Sequence, residues 1–470
     1  MTVFHRFGMS TLPLHMDYIT QRSAAALPNV MEFAPQPLRT RPVAHRPNAI
    51  TLLGLVFQCV ALLTVVATSP TMAVGAPAWV SAVAAIALFC YSTLDNMDGK
   101  QARRTGSSSP LGLLFDHGCD CLNSGIAGPL VMMGALGVRP GTWQYVAIWA
   151  LPALPFFFNS YEEYHTNTFL LREINGPNEG VMALVCTYVV AAFVGTDIWQ
   201  QPVTQAPFTL LARVLRPVTL VLRLGGVSGG GAPTTAAELQ SPSTGLDVLL
   251  TTSCIAVACT VVVHTATAVS AAAAAARERG SSAVAASMTA LRRQSPMWAC
   301  LLAAVLWCRV PACASLLAAH PYFFFIAVGA AFARASSRLM LAHVTDTLYE
   351  PWVGWDVAVF NLLFVPVINF ALRAWCVAIC RRLRQQLPRY VPRRSNTTAA
   401  STYPRCPNRR YPAMFAALPA VARLLLGALN PSVCLLIVFV DSMTRLTHFA
   451  IVGVQEVAAG AWIAASRCKM

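Results

Sequence analysis

The chain has 470 residues, 56% of them apolar and 11% charged, at a mean hydropathy of +0.56, whereas soluble domains carry about 25% charged residues. Such a composition excludes an ordinary soluble enzyme and reads as a polytopic membrane protein. The formal charge of +15 is scattered through short loops and forms no basic stripe with interleaved aromatics, so it fits the cytoplasmic bias of membrane loops and argues for no nucleic-acid partner.

Residues 1–48 are polar, aromatic and Pro-containing, and are expected to form a cytoplasmic interfacial segment without the basic and apolar regions of a secretory signal. The first span then acts as the insertion signal. Runs able to cross about 30 Å of hydrocarbon, roughly 20 residues each, fall at 49–69, 73–94, 111–137, 143–160 and 178–197. A second set falls at 247–276, 297–317, 321–345, 352–380 and 432–465. The expected fold class is therefore an all-α polytopic membrane protein of about ten transmembrane helices.

Core helices are predicted over 49–200 and a flexible Gly/Pro/Ser/Thr-rich linker over 201–246, richest in those residues at 224–245. A second set of membrane helices follows over 247–380, then a basic loop over 381–431, and the last helix with its tail over 432–470. Within that loop, 411–430 is either an eleventh span or an interfacial helix, because Arg423 and two prolines weaken its apolar run. Ten spans and a cytoplasmic N-terminus would put 381–410 in the lumen, against the positive-inside rule, and glycosylation at Asn396-Thr397-Thr398 would report the side. Most of the fifteen cysteines lie in apolar runs, where a thiol is a small hydrophobe. The Cys376 and Cys380 pair lacks a second ligand pair, so neither a disulfide framework nor a zinc site is expected.

The chemistry concentrates in "LDNMDGKQARRTGSSSPLGLLFDHGCDCLNSG", residues 94–125, where Asp95, Asp98, Asp116 and Asp120 fall within twenty-six residues at the ends of two spans. Carboxylates there normally face a cavity, a partner charge or a metal. Arg39, Arg41 and Arg46 before the first span, with Lys100, Arg103 and Arg104 after the second, turn this end toward the cytosol. If the second span stays helical, Asp95, Asp98, Gly99 and Ala102 share one face; Gly112, Asp116 and Asp120 share a face of the third. "RTGSSSP" between them is a turn in which Pro110 starts the next helix.

Four carboxylates in one pocket repel unless a cation lies between them. Hard oxygen ligands select Mg²⁺ or Mn²⁺, and this cluster is sized for two such ions. The small Gly99, Ala102 and Gly112 allow a helix or a nucleotide close to the backbone, and Lys100 and Arg103 can neutralise phosphate oxygens. A phosphorylated soluble substrate and a lipid partner are implied.

The pattern of Asp95, Asp98, Gly99, Ala102, Arg103, Gly112, Asp116 and Asp120 resembles the signature of the CDP-alcohol phosphotransferases. "DGKQARRTGSSSPLG" followed by "FDHGCD" is similar to the choline/ethanolamine phosphotransferase branch. "PNAITLLGL", "EEYHTNTF", "NGPNEG" and "SRLMLAHVT" extend the likeness over most of the chain. The resemblance implies a catalytic core at 49–200 that moves phosphocholine or phosphoethanolamine from CDP-choline or CDP-ethanolamine onto diacylglycerol or alkyl-acylglycerol. It also implies the endoplasmic reticulum as the expected membrane, the Golgi as the alternative, and a homodimer.

Carried over by position, Asp95, Asp98, Asp116 and Asp120 would hold two Mg²⁺ or Mn²⁺ ions. Gly99, Ala102, Arg103 and Gly112 would cradle the CDP moiety, with Lys100 and Asn48 as further nucleotide contacts. His117 would be either the general base for the acceptor hydroxyl or an orienting residue, with Asp120 able to share the work. Glu163 and Glu179 are softer candidates whose other reading is a loop-facing polar residue, and His343 reads as a helix-end histidine more than a ligand. Leu113 departs from the branch, which has glutamate there, one turn before His117. The rival readings are another CDP-alcohol or acceptor, a catalytically impaired paralogue, and a cation-coupled transporter, for which no paired interrupted helices are visible.

Overall fold

The structure is a computed structural model that describes residues 47–168, 177–204, 208–225 and 241–352, with three isolated positions beyond them. Among the described residues all regular structure is helical, apart from one isolated bridge between Pro202 and Thr244. The helices are α1 (Pro47–Thr68), α2 (Ala78–Thr105), α3 (Pro110–Leu122), α4 (Gly128–Leu136), α5 (Trp143–Thr166) and α6 (Pro177–Val194). They continue as α7 (Phe208–Gly225), α8 (Gly245–Glu278), α9 (Ala283–Arg293), α10 (Ser295–Arg309), α11 (Pro311–Ala319) and α12 (Pro321–Val344). Among the described residues, five segments are long and apolar enough to cross a membrane: α1, α2, Pro110–Leu136, α8 and α12. The chain is an integral membrane protein. The span expected at 432–465 and the segments 1–46 and 381–431 lie outside the described residues, as does that at 352–380 apart from Trp352 and the three isolated positions.

The bundle is built by α1 against α2, α2 against α6, α5 against α8, and α12 across both α3 and α5. Its interior is aromatic, with Trp149, Phe157, Phe158, Tyr161, Phe324, Phe325 and Phe332 fully buried. Trp149 stacks on Phe325 and meets Phe332 edge-on. The lipid-facing side is apolar as well: Leu52, Leu53, Val56, Val60 and Leu63 stand exposed along α1. In hydrocarbon such exposure carries no hydrophobic cost, so these positions need no protein partner.

The third span is one continuous rod with a π segment, Asn123–Ala127, between α3 and α4. Pro129 near the start of α4 has no N–H to give the Gly125 carbonyl four residues back, and the buried Trp149 indole N–H donates to that carbonyl at 3.1 Å. Gly125 lies against Gly329 of α12, where an added Cβ would collide with the Gly125 carbonyl oxygen. Two glycines thus let α12 close on the third span, a small-residue contact of the kind that holds membrane helices together.

Three expectations are corrected. The stretch 201–246, read as a flexible linker, contains the eighteen-residue α7; its leucines, valines and arginines can form a two-faced helix that a Gly/Pro count does not reveal. The run at 297–317 is two helices, α10 and α11, because Pro311 cannot continue the first. The fourth span does not stop at residue 160: α5 runs to Thr166 and carries Glu162 and Glu163 as buried residues.

Candidate active site

The site forms where α2 leaves the bundle and α3 enters it. Gly106 takes the left-handed conformation (φ 64°) and caps α2, its N–H bonded to the Arg103 carbonyl. Ser109 then caps α3, its hydroxyl accepting from the Gly112 N–H at 3.0 Å, with Pro110 in the first turn. This tight turn brings the two aspartate-bearing helix faces together as the spacing predicts.

Asp95, Asp98 and Asp116 each offer a carboxylate oxygen within 4.8 Å of the others. Asp120 adjoins the group: its side chain lies within hydrogen-bonding reach of Asp95, as that of Asp98 does of Asp116. Asp98 is buried, and Asp116 Oδ1 is a buried oxygen with no hydrogen-bond partner among the described residues. Converging carboxylates with an orphaned oxygen are a donor set that a hard divalent cation satisfies, so the residues fit a metal site.

Two hydroxyls orient the aspartates, and neither is visible as a site residue in the sequence. Thr51 of α1 donates to Asp98, and Tyr91 of α2 donates to Asp120. Tyr91 stands one turn before Asp95 on the same helix face, the one signal that could have marked it. Asn48 comes to Gly112: a Cβ added to that glycine would lie 3.6 Å from Asn48 Oδ1. Lys100 and Arg103 are exposed, Gly99 and Ala102 half-buried along the same face, and Arg103 reaches back over Gly99.

His117 is half-buried on α3, its Nδ1 3.2 Å from the Leu113 carbonyl and its ring 6.1 Å from that of Phe156. Leu113 packs with Leu111 and Leu114 against Met340, Leu341 and Val344 of α12. At this position the chain has an apolar contact to α12 in place of a carboxylate.

Glu163 is not loop-facing. It is buried on α5, with Oε1 3.5 Å from His343 Nε2, and its Oε2 has no hydrogen-bond partner among the described residues. Its neighbour Glu162 pairs with His264 of α8. Glu179 stands exposed in the first turn of α6. None of the described cysteines is in a disulfide.

A helical membrane bundle with an interhelical aspartate centre is the class that fold and site define. Residues 44–204 match the family model described as CDP-alcohol phosphatidyltransferase. The chain is 42% identical over 161 residues to choline/ethanolaminephosphotransferase 2 of Arabidopsis thaliana, covering 34% of this chain and 40% of that protein. It is 40% identical over 176 residues to choline/ethanolaminephosphotransferase 1 of the same plant, covering 36% of this chain and 44% of that one. To cholinephosphotransferase 1 of Gallus gallus it is 38% identical over 160 residues, covering 33% of this chain and 46% of that protein. The chain thus spans less than half the length of these relatives. The stretch that matches the family model, residues 44–204, contains the whole aspartate centre.

Proposed function

We infer that the chain transfers phosphocholine or phosphoethanolamine from the CDP-alcohol to the free hydroxyl of diacylglycerol or alkyl-acylglycerol, releasing CMP. Phosphatidylcholine, phosphatidylethanolamine or their ether analogues are the products. The observation that carries this reading is the convergence of Asp95, Asp98 and Asp116 beside a turn of small and basic residues. The likeness to proteins named choline/ethanolaminephosphotransferase supports the donor and acceptor classes.

Asp95, Asp98, Asp116 and Asp120 would hold two Mg²⁺ or Mn²⁺ ions. Bound divalent cations would neutralise the carboxylates and polarise the diphosphate of the donor. Gly99, Ala102 and Gly112 leave room for the CDP moiety near the backbone, while Asn48, Lys100 and Arg103 face its polar atoms. His117, with Nδ1 directed at the Leu113 carbonyl, would take the acceptor proton at Nε2 as the glycerol oxygen attacks phosphorus and CMP leaves. The acceptor arrives from the bilayer, and the donor from the cytosol of an endoplasmic reticulum or Golgi membrane.

The test is incorporation of label into lipid by membranes containing the full chain, supplied with diacylglycerol and either radiolabelled CDP-choline or CDP-ethanolamine. Label in the organic phase from one donor supports the reading and identifies the head group. No incorporation from either donor by correctly inserted protein overturns it.

A further inference from the structure

Helix α7 lies at the opposite end of the bundle from the aspartates. Gly245 N–H bonds to the Gln201 carbonyl, the Gln200 side chain bonds to the Leu136 carbonyl, and Ala76 N–H bonds to the Gly134 and Ala135 carbonyls. The segments flanking α7 therefore meet the loops that join α1 to α2 and α4 to α5, at the other end of the 28-residue α2 from the turn at Gly106. From there α7 docks on the first two turns of α8. The Thr219 and Thr251 hydroxyls bond at 2.9 Å, and Arg223 donates to Asp247 at 2.7 Å. Asp247 is itself buried and holds Gln144 at 2.9 Å. Arg223 also donates to the Ser241 carbonyl, and Arg309 of α10 donates to the Leu224 carbonyl.

Only one stripe of α7 is covered by this docking, that of Leu215 and Thr219. Around the rest of the helix, at 100° per residue, two further stripes separate. Leu210, Val214, Val218 and Val221 form an apolar one, with Leu210, Val214 and Val221 each 65–67% exposed. Arg213 and Arg216 lie on the other side, also exposed, with the exposed Leu220 and Leu224 interleaved among them. Arg216 further lines a shallow recess with Thr219, Leu220, Arg223, Ser241 and Ser243.

Three arginines in eighteen residues argue against a spanning placement, which would carry Arg213 and Arg216 into hydrocarbon. An aqueous placement would leave the valine and leucine stripe in water beside the lipid-facing side of the bundle. An interfacial helix satisfies both stripes: the apolar one enters the acyl boundary and the arginines stay at phosphate level. We propose that α7 is a membrane-surface helix that binds the phosphates of anionic lipids through Arg213 and Arg216, on the leaflet opposite the aspartate site. Charge complementarity and continuity with the lipid-facing side select this occupant. The proposal is independent of the transferase reading.

Hydrogen–deuterium exchange of the full-length protein tests it, in nanodiscs of phosphatidylcholine alone or of phosphatidylcholine with phosphatidylserine. Amides of 208–225 are expected to exchange roughly tenfold more slowly in the anionic membrane. The difference should disappear in the Arg213→Gln/Arg216→Gln variant, with α8 exchange unchanged, and high salt should abolish it in the wild type, a reading that needs no variant. Equal exchange of α7 in the two membranes, whether fast or slow, overturns the proposal, as does a difference that survives high salt.

Discussion

The Thr51 hydroxyl of α1 donates to the Asp98 carboxylate of α2, joining residues 47 positions apart at the one buried aspartate of the centre. The bond ties the first span to the carboxylate-bearing face of α2 and limits the rotation of Asp98. A partner of this kind, one step removed from the ligand, typically contributes 10- to 100-fold to affinity or activity, so Thr51→Val is expected to weaken activating Mn²⁺ by roughly tenfold. The apparent activation constant for Mn²⁺ checks this, while the thermal midpoint should move little.

Tyr91 holds Asp120 in the same way from the helix that bears Asp95. Tyr91→Phe keeps the ring and removes only the hydroxyl. Metal dependence of the variant should shift in the same direction as for Thr51→Val. Because Asp98 and Asp120 belong to one carboxylate cluster, the double variant should depart from additivity by about 0.5 kcal/mol or more.

His117 sits beside the aspartates without being one of the converging oxygens. If it takes the acceptor proton, His117→Ala should lower kcat by roughly 10²- to 10⁴-fold. Mn²⁺ binding, followed by the paramagnetic signal of the free ion, should stay within about threefold of wild type, because a ligand loss would reach the 10- to 100-fold range.

The contact of Gly125 with Gly329 leaves no space for a side chain. Gly329→Ala is expected to force α12 off the third span and to cost about 1–3 kcal/mol through overpacking. A lowered thermal midpoint in detergent would record it. The conservative Ala331→Gly, elsewhere on the buried face of the same helix, should cost about 1 kcal/mol or less.

Much of the centre was legible because a helix repeats its faces at three- and four-residue intervals. Asp95 with Asp98, and Asp116 with Asp120, could be placed on two faces from spacing alone, and "RTGSSSP" with its Pro110 marked the turn between them. What spacing cannot register is which distant span delivers a hydroxyl. Thr51 and Tyr91 look like ordinary span residues until α1 and α3 pack on α2. Glu163 stayed open between a site contact and a loop position for a related reason: spacing does not register that pairing with His343 lets Glu163 remain buried inside α5. The helix at 208–225 was hidden because arginines interrupt its hydropathy while its apolar residues keep a helical stripe.

The most direct measurement is CMP release by the purified full-length protein in a bilayer with diacylglycerol, Mn²⁺ and a CDP-alcohol, comparing wild type with Asp116→Asn. The expected result is equimolar CMP and phospholipid from the wild type, with both reduced roughly a hundredfold or more in the variant, whose orphaned oxygen no longer carries the charge a cation needs. Wild-type protein that releases no CMP, or an Asp116→Asn variant that releases it at the wild-type rate, would contradict the assignment of transfer chemistry to the aspartate centre.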